Sequence, residues 1–76
     1  MTPNGATVRR LRLSQARTNG AAPQTLVEFA DAIGLSPSYL SRIETGQRTD
    51  ASFATMSRIA DGLGVPLAAV ATDDLA

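Results

Sequence analysis

The sequence contains no cysteine, histidine, tryptophan or lysine, and these absences exclude most kinds of chemical site. Without cysteine and histidine there is no disulfide, no usual zinc site and no Cys/His pair for nucleophilic catalysis. General acid–base chemistry would fall to seven scattered carboxylates, of which only Asp73 and Asp74 are adjacent. We therefore expect no enzyme activity, no catalytic residue, no metal and no cofactor, and interpret the chain as a binding module.

The chain also has no long apolar run. Its longest apolar stretch, residues 62–71, contains Pro66 and is too short to span a bilayer. The first ten residues lack the apolar core of a signal peptide, so we expect a cytoplasmic protein. With 76 residues the chain fits one small domain, and it leaves little sequence for binding a small-molecule effector, which we do not expect.

The net charge is zero, but the charged residues are unevenly distributed. Residues 1–48 carry six arginines and three carboxylates, a net charge of +3, whereas residues 49–76 have a net charge of −3. All seven basic residues are arginine, whose guanidinium suits bidentate contact with phosphates and guanine. This asymmetry indicates an anionic partner for the first part of the chain.

Turn residues and apolar spacing predict an all-α domain of five helices. We expect residues 1–6 to be a flexible tail, residues 7–72 to form the domain, and residues 73–76 to be a second tail. Helix one is predicted to start at Thr7, which acts as its cap, and to run to about residue 17, before a loop over residues 18–24.

The strongest local signals lie in the middle of the chain. Thr25 and Glu28 match a capping box, and apolar residues at helical spacing then lead to Gly34, which ends the second helix. Ser36 and Pro37 begin a third helix almost at once. Two helices joined so tightly must diverge sharply, which is the helix-turn-helix arrangement.

A fourth helix is predicted after a cap at Asp50 or Ser52, and a short fifth helix after Pro66. Leu40 and Ile43 are the expected inward residues of helix three. The other side chains expected in the core include Phe29, Phe53, Met56, Leu63 and Val65.

The face of helix 36–45 opposite Leu40 and Ile43 is polar. In helix-turn-helix proteins this face enters the major groove, where serine and arginine side chains reach base edges. An ordinary solvated helix surface is the alternative, which the tight turn and the flanking arginines make less favoured. The residues of this face are Pro37, Ser38, Ser41, Arg42 and Thr45.

In combination these motifs resemble the Cro/lambda-repressor superfamily, specifically its xenobiotic-response-element (XRE) type. The resemblance covers most of the chain and implies a compact five-helix domain that binds operator DNA, commonly as a two-fold dimer, and regulates transcription. The matching elements are Phe29-Ala30, Gly34, the run from Ser36 to Glu44, Gly46, Arg48, Ile59-Ala60 and Leu63-Gly64-Val65.

The resemblance implies roles for individual residues. Glu44 is implied to be structural, holding an arginine or a loop amide. The residues implied to contact bases are Ser36, Pro37, Ser38, Ser41 and Arg42. The residues implied to lie near the DNA backbone are Tyr39, Thr45, Gln47 and Arg48. Helix one passes near the backbone in this arrangement, so its arginines are either phosphate anchors or a solvated basic face; these are Arg9, Arg10 and Arg12.

Three features depart from the family pattern. Leu26 lies where the family usually has a glutamine that contacts phosphate, and Thr25 or Gln24 can substitute for it only partly. The first connection is unusually long, and it either extends helix one or forms an extra DNA-side loop that carries Arg17. Asp50 lies where a proline is common.

We predict a sequence-specific regulator that binds double-stranded DNA, a small repressor or Cro-like protein of phage or bacterial origin. A homodimer on a palindromic operator is expected, with residues 65–75 as its interface; alternatively, Leu67 and Val70 only close the monomer core. One alternative function is an antitoxin-like module whose main partner is a protein. Another is a helical interaction domain that does not bind DNA.

Overall fold

The computed structural model of the protein describes the backbone of residues 1–18 and 25–72 and the side chains of residues 1–14 and 25–72. Within these ranges, no helix is long and apolar enough to cross a membrane. The elements in chain order are β1 (Thr2–Pro3), α1 (Gly5–Thr18), α2 (Leu26–Ile33), α3 (Pro37–Glu44), α4 (Phe53–Leu63), a 3-10 turn (Leu67–Ala69) and β2 (Ala71–Thr72).

The predicted all-α class is confirmed, with four α-helices in the described ranges and one 3-10 turn in place of the fifth helix. The 3-10 turn is short because extended structure lies on both sides of it. Pro66 precedes it with extended backbone, and Ala71, two residues after it, pairs with Pro3. Only a single turn fits between these two points.

The predicted flexible tail over residues 1–6 is wrong. Thr2 and Pro3 form an antiparallel pair of short strands with Thr72 and Ala71. The backbone N–H of Asn4 donates to the carbonyl of Val70 at 2.8 Å, and these bonds close the N-terminal segment onto the end of the fold.

Helix α1 begins two residues earlier than predicted, at Gly5. The side chain of Asn4, not that of Thr7, acts at this helix end, since Asn4 Oδ1 accepts from the Thr7 N–H at 3.2 Å. A side chain at Gly5 would collide with the carbonyl oxygens of Ile43 and Glu44. Glycine therefore allows the start of α1 to lie directly against the end of α3.

Helix α2 begins and ends where the sequence predicts. The Glu28 N–H donates to Thr25 Oγ1 at 3.1 Å, and Glu28 Oε1 accepts from the Thr25 N–H at 3.0 Å, which is the predicted capping box. At the other end, Gly34 adopts a φ of 76°, and the Leu35 N–H donates to Ala30 O at 2.9 Å. This left-handed glycine turns the chain directly into α3.

The core lies between α1, α2, α3 and α4. Val70, which directly follows the 3-10 turn, is also part of it. One core prediction is wrong: Phe53 is 66% exposed. It is the first residue of α4, and the neighbouring Ala51 and Met56 fill the core in its place. Ser52, not Asp50, caps α4 and accepts from the Thr55 N–H at 3.1 Å. The fully buried large side chains are Phe29, Leu40, Ile43, Met56, Ile59, Leu63, Val8 and Val70.

Candidate nucleic-acid interface

Helix α3 has one buried side and one open side. Leu40 and Ile43 are fully buried, and they pack α3 against the core. On the opposite side, Ser38 and Arg42 are exposed and Ser41 is half-buried. Within the part of the chain that the structure describes, no hydrogen bond or ion pair engages the Arg42 guanidinium. The open side of α3 thus offers a long cationic donor and two small hydroxyl groups.

The start of α3 is fixed by its cap. Ser36 Oγ accepts from the Tyr39 N–H at 3.1 Å, and Pro37 occupies the first turn, where its missing N–H costs nothing. Ser36 is exposed and Pro37 is half-buried. The hydroxyl oxygen of Ser36 is therefore engaged as an acceptor, while its hydrogen remains available to a ligand.

Thr45, at the end of α3, is exposed, but its hydroxyl is already used. Thr45 Oγ1 donates to Ser41 O at 2.9 Å. A phosphate oxygen accepts hydrogen bonds, so Thr45 must give up this bond before its hydroxyl can donate to a phosphate. Gln47, two residues further on, is exposed in the loop.

Arg48 lies beside the end of α3 with its charge partly oriented. Its Nε donates to Asp50 O at 3.1 Å, and its guanidinium lies 5.4 Å from the centroid of the Tyr39 ring. The Arg48 N–H also donates to Arg42 O at 2.9 Å, and this bond holds the backbone of Arg48 against the C-terminal end of α3. Tyr39, in the first half of α3, and Arg48, in the loop after the helix, are thus in contact at the surface.

The arginines of α1 do not share one environment. Arg9 and Arg10 are exposed, whereas Arg12 is 6% exposed and donates to the carboxylate of Glu44 from Nε at 2.8 Å and from Nη2 at 2.9 Å. The placement of Arg12 among the outward arginines of helix one is therefore wrong, and the side chain of Arg17 lies outside the described residues. The structural role implied for Glu44 agrees with this pairing.

The sequence did contain a signal for the position of Arg12. Val8 and Arg12 are four residues apart, so they lie on the same face of α1, and Val8 is fully buried. Glu44 follows the buried Ile43 and was implied to hold an arginine. Together these features make Arg12 a candidate partner of Glu44, and the packing of α1 against α3 decides the pairing.

The N-terminus of α2 carries Thr25 and Glu28 at its surface. The hydrogen bonds that Glu28 makes with the backbone and side chain of Thr25 lower the pKa of the Glu28 carboxyl. Thr25 is exposed, and its hydroxyl oxygen is occupied by the capping bond. The capping box thus engages the backbone N–H groups of Thr25 and Glu28 at this helix end.

The buried Arg12–Glu44 pair does not change the charge asymmetry, which comes from the other charged residues. Arg12 and Glu44 cancel each other, so the net charge of +3 over residues 1–48 belongs to the remaining groups. The exposed arginines among the described side chains of this part are Arg9, Arg10, Arg42 and Arg48. Glu28 and Asp31 are the acidic residues that remain, and both lie on α2. The elements that carry the predicted DNA contacts are therefore cationic at α1 and α3.

The described residues contain no group of acidic side chains that could hold a metal ion. An open cavity of about 390 Å³ lies between α2 and α4, lined by Ala32, Ile33, Arg58, Asp61 and Gly62. It is separate from the exposed face of α3, because none of its lining residues belongs to that helix.

Comparison with known proteins identifies a family and a structural relative. Residues 25–70 match the model of the helix-turn-helix family. Four chains among the solved structures match, including the clp gene regulator ClgR from C. glutamicum, which is 31% identical with a TM-score of 0.61. That match covers 84% of this chain and 73% of the ClgR chain. No curated protein matches the sequence. The family match runs from the capping box to Val70 and includes all of α3.

Proposed function

The chain belongs to the helix-turn-helix family of DNA-binding transcriptional regulators, of the XRE type, and we propose that it is a small sequence-specific repressor or Cro-like protein of phage or bacterial origin. The observation that carries this proposal is the open face of α3, where Arg42 and Ser38 are exposed opposite the buried Leu40 and Ile43. The protein would act in the cytoplasm, where bacterial and phage operators lie.

The dimensions of α3 suit the major groove. An α-helix with its side chains is about 10–12 Å in diameter, which is close to the width of that groove in B-DNA, and α3 has eight residues. Arg42 has the reach and the paired donors to bind guanine or a phosphate. Ser38 and Ser41 are short, so they would contact bases only where the helix lies deep in the groove. The proposed base-contacting residues are Ser36, Pro37, Ser38, Ser41 and Arg42.

The contacts to the DNA backbone come from the edges of α3 and from α1. Arg48 is the strongest of these, because it is exposed next to the end of α3. Contacts to phosphates fix the register of a helix in the groove and carry most of the salt-dependent affinity. The other proposed backbone contacts are Thr25, Thr45, Gln47, Arg9, Arg10 and Arg17, and Tyr39 lies near the backbone beside Arg48.

We propose repression because occupation of an operator is enough to block the polymerase. Occupation of the operator requires only the exposed face of α3, and the proposal includes no small-molecule effector. Repression by occupation then depends only on affinity and on the position of the operator.

A homodimer on a palindromic operator is proposed, with residues 65–75 as the interface. A single domain of this size reads few base pairs, and a two-fold dimer doubles the site. Leu67 and Val70 already pack into the core of their own chain, whereas Pro66, Ala68 and Ala69 are exposed. The contact surface of this segment would therefore consist of small apolar groups that allow close approach.

The experiment that tests the proposal is selection of bound sequences from a random pool of DNA duplexes. A palindromic consensus, with half-sites about one helical turn apart, supports a dimeric DNA-binding regulator. Enrichment of a single unrepeated half-site would support DNA reading by a monomer. No enrichment would contradict the DNA-binding proposal and would favour the protein-binding, antitoxin-like alternative.

A further inference from the structure

The side chain and backbone of Arg48 are held at three points within the protein. Its N–H donates to Arg42 O at 2.9 Å, which satisfies a carbonyl at the C-terminus of α3. Its Nε donates to Asp50 O at 3.1 Å. Its guanidinium lies 5.4 Å over the ring of Tyr39. In the described ranges, no protein acceptor engages the two terminal nitrogens of Arg48, and these remain for a ligand.

Tyr39 is more firmly placed than the arginine above it. It is half-buried and packs against the core, and it lies in the first turns of α3. A cation over an aromatic face is attracted by the ring itself, and the phenolic hydroxyl is not needed. The ring thus provides a fixed support that links the exposed loop to the core beneath it.

We propose that Tyr39 is a positioning residue for DNA-backbone recognition, which acts through the guanidinium of Arg48 and not through its own hydroxyl. This inference rests on the proposed function. A free arginine side chain loses rotamer freedom when it binds a phosphate, and this loss weakens binding. With Nε bonded to Asp50 O and the ring beside the guanidinium, Arg48 has lost much of that freedom before DNA arrives.

The test compares two substitutions of Tyr39 with and without Arg48. Affinities are measured on the duplex that the wild-type protein selects. Tyr39→Phe keeps the ring and removes only the hydroxyl, so its affinity should stay within about two-fold of wild type. Tyr39→Leu removes the ring and should weaken binding about three- to ten-fold, the equivalent of freeing one arginine side chain. In the Arg48→Ala background, Tyr39→Leu should have no further effect.

Two results would overturn the inference while leaving the proposed function intact. If Tyr39→Phe weakens binding as much as Tyr39→Leu, the hydroxyl itself contacts DNA. If Tyr39→Leu and Arg48→Ala weaken binding additively, Tyr39 acts independently of Arg48. A wild-type protein that selects no duplex is a different outcome, which overturns the proposed function and with it the role given to Tyr39.

A measurement without DNA keeps the inference testable if Tyr39→Leu does not fold. The ring contact predicts that the Arg48 side-chain protons of the wild-type protein show ring-current shifts in NMR spectra. These shifts should persist in Tyr39→Phe, which also reports that the fold is intact. Arg48 protons at random-coil positions in the wild type would contradict the proposal.

Discussion

Arg12 Nε lies 2.8 Å from Glu44 Oε2, and Arg12 Nη2 lies 2.9 Å from Glu44 Oε1. The two side chains are 7% and 3% exposed, so this bidentate pair is buried between α1 and the C-terminal end of α3. It joins residues 32 positions apart in the sequence and acts next to the close approach of Gly5 to Ile43. Together the pair and the glycine contact fix how α3 is presented.

The Arg12–Glu44 pair predicts a non-additive effect on stability. Glu44→Ala leaves a buried guanidinium without its counter-ion and should lower the free energy of unfolding by about 3–5 kcal/mol. The double variant Arg12→Met with Glu44→Leu removes both charges and should be much more stable than the single variant. Urea unfolding followed by circular dichroism measures both. A single variant as stable as the wild type would contradict the burial of the pair.

Truncation of the two phenylalanines should change the free energy of unfolding by very different amounts. Phe29 is 1% exposed, so Phe29→Ala should lower the free energy of unfolding by about 3–5 kcal/mol through the cavity it leaves. Phe53 is 66% exposed, and Phe53→Ala should change it by no more than about 0.5 kcal/mol. Thermal unfolding of the two variants gives the comparison. Equal losses would mean that Phe53 belongs to the core.

Arg42 and Arg58 form a matched pair for the proposed DNA contact. Both are exposed arginines, but Arg42 lies on α3 and Arg58 on α4, where its Nη1 donates to Gly34 O at 3.4 Å. Arg42→Ala should weaken binding to the selected duplex by about 1–3 kcal/mol and relax the preference at one base position. Arg58→Ala should bind as the wild type does, and similar losses in both variants would point to a general effect of charge.

The role of Arg9 and Arg10 is decided by the dependence of affinity on salt. If both side chains contact phosphates, the slope of log affinity against log salt concentration should be smaller in magnitude by about 2 in the Arg9→Ala, Arg10→Ala double variant. The loss should be similar on specific and non-specific duplexes, because phosphate contacts do not read bases. A slope that equals that of the wild type would assign these arginines to a solvated face.

The capping box at the start of α2 predicts a pH effect of known sign. The pKa of Glu28 is lower in the folded chain than in the unfolded one because of its hydrogen bonds to Thr25. Its stabilising contribution is therefore complete above the unfolded pKa and is lost as the pH falls through the folded pKa. NMR titration should show the Glu28 pKa rising only part of the way towards its ordinary value in Thr25→Ala, which keeps the backbone N–H but loses the hydroxyl, and staying low in Thr25→Ser. An unchanged pKa in Thr25→Ala would contradict the capping role.

Much of the helix-turn-helix could be predicted because its signals are local. The Thr25–Glu28 box, the glycine at position 34 and the Ser36 cap each act within four or five residues, and the structure has all three. The identity of the inward side chains of α3 follows from the same helical period. Which side chains share the polar face of α3, from which the base contacts are proposed, follows from that period alone.

The remaining features depend on contacts between distant segments. The fate of the first residues was mispredicted because Thr2 and Pro3 gain a partner only when Ala71 and Thr72 are brought beside them. Phe53 was mispredicted for a similar reason, since its helical position is compatible with the core but Ala51 and Met56 fill that space. Periodicity indicates which side chains share a face, but not which of them another element covers.

The sequence by itself determined helices α2 and α3, their caps and the tight turn between them, because helical period and capping are properties of neighbouring residues. Only the tertiary structure decided that Arg12 is an internal ion-pair partner while Arg9 and Arg10 stay at the surface, and that Arg48 rests on Tyr39. The physical reason is that burial, ion pairing and ring contacts depend on distances between residues of different elements. These distances are set only when the helices pack together.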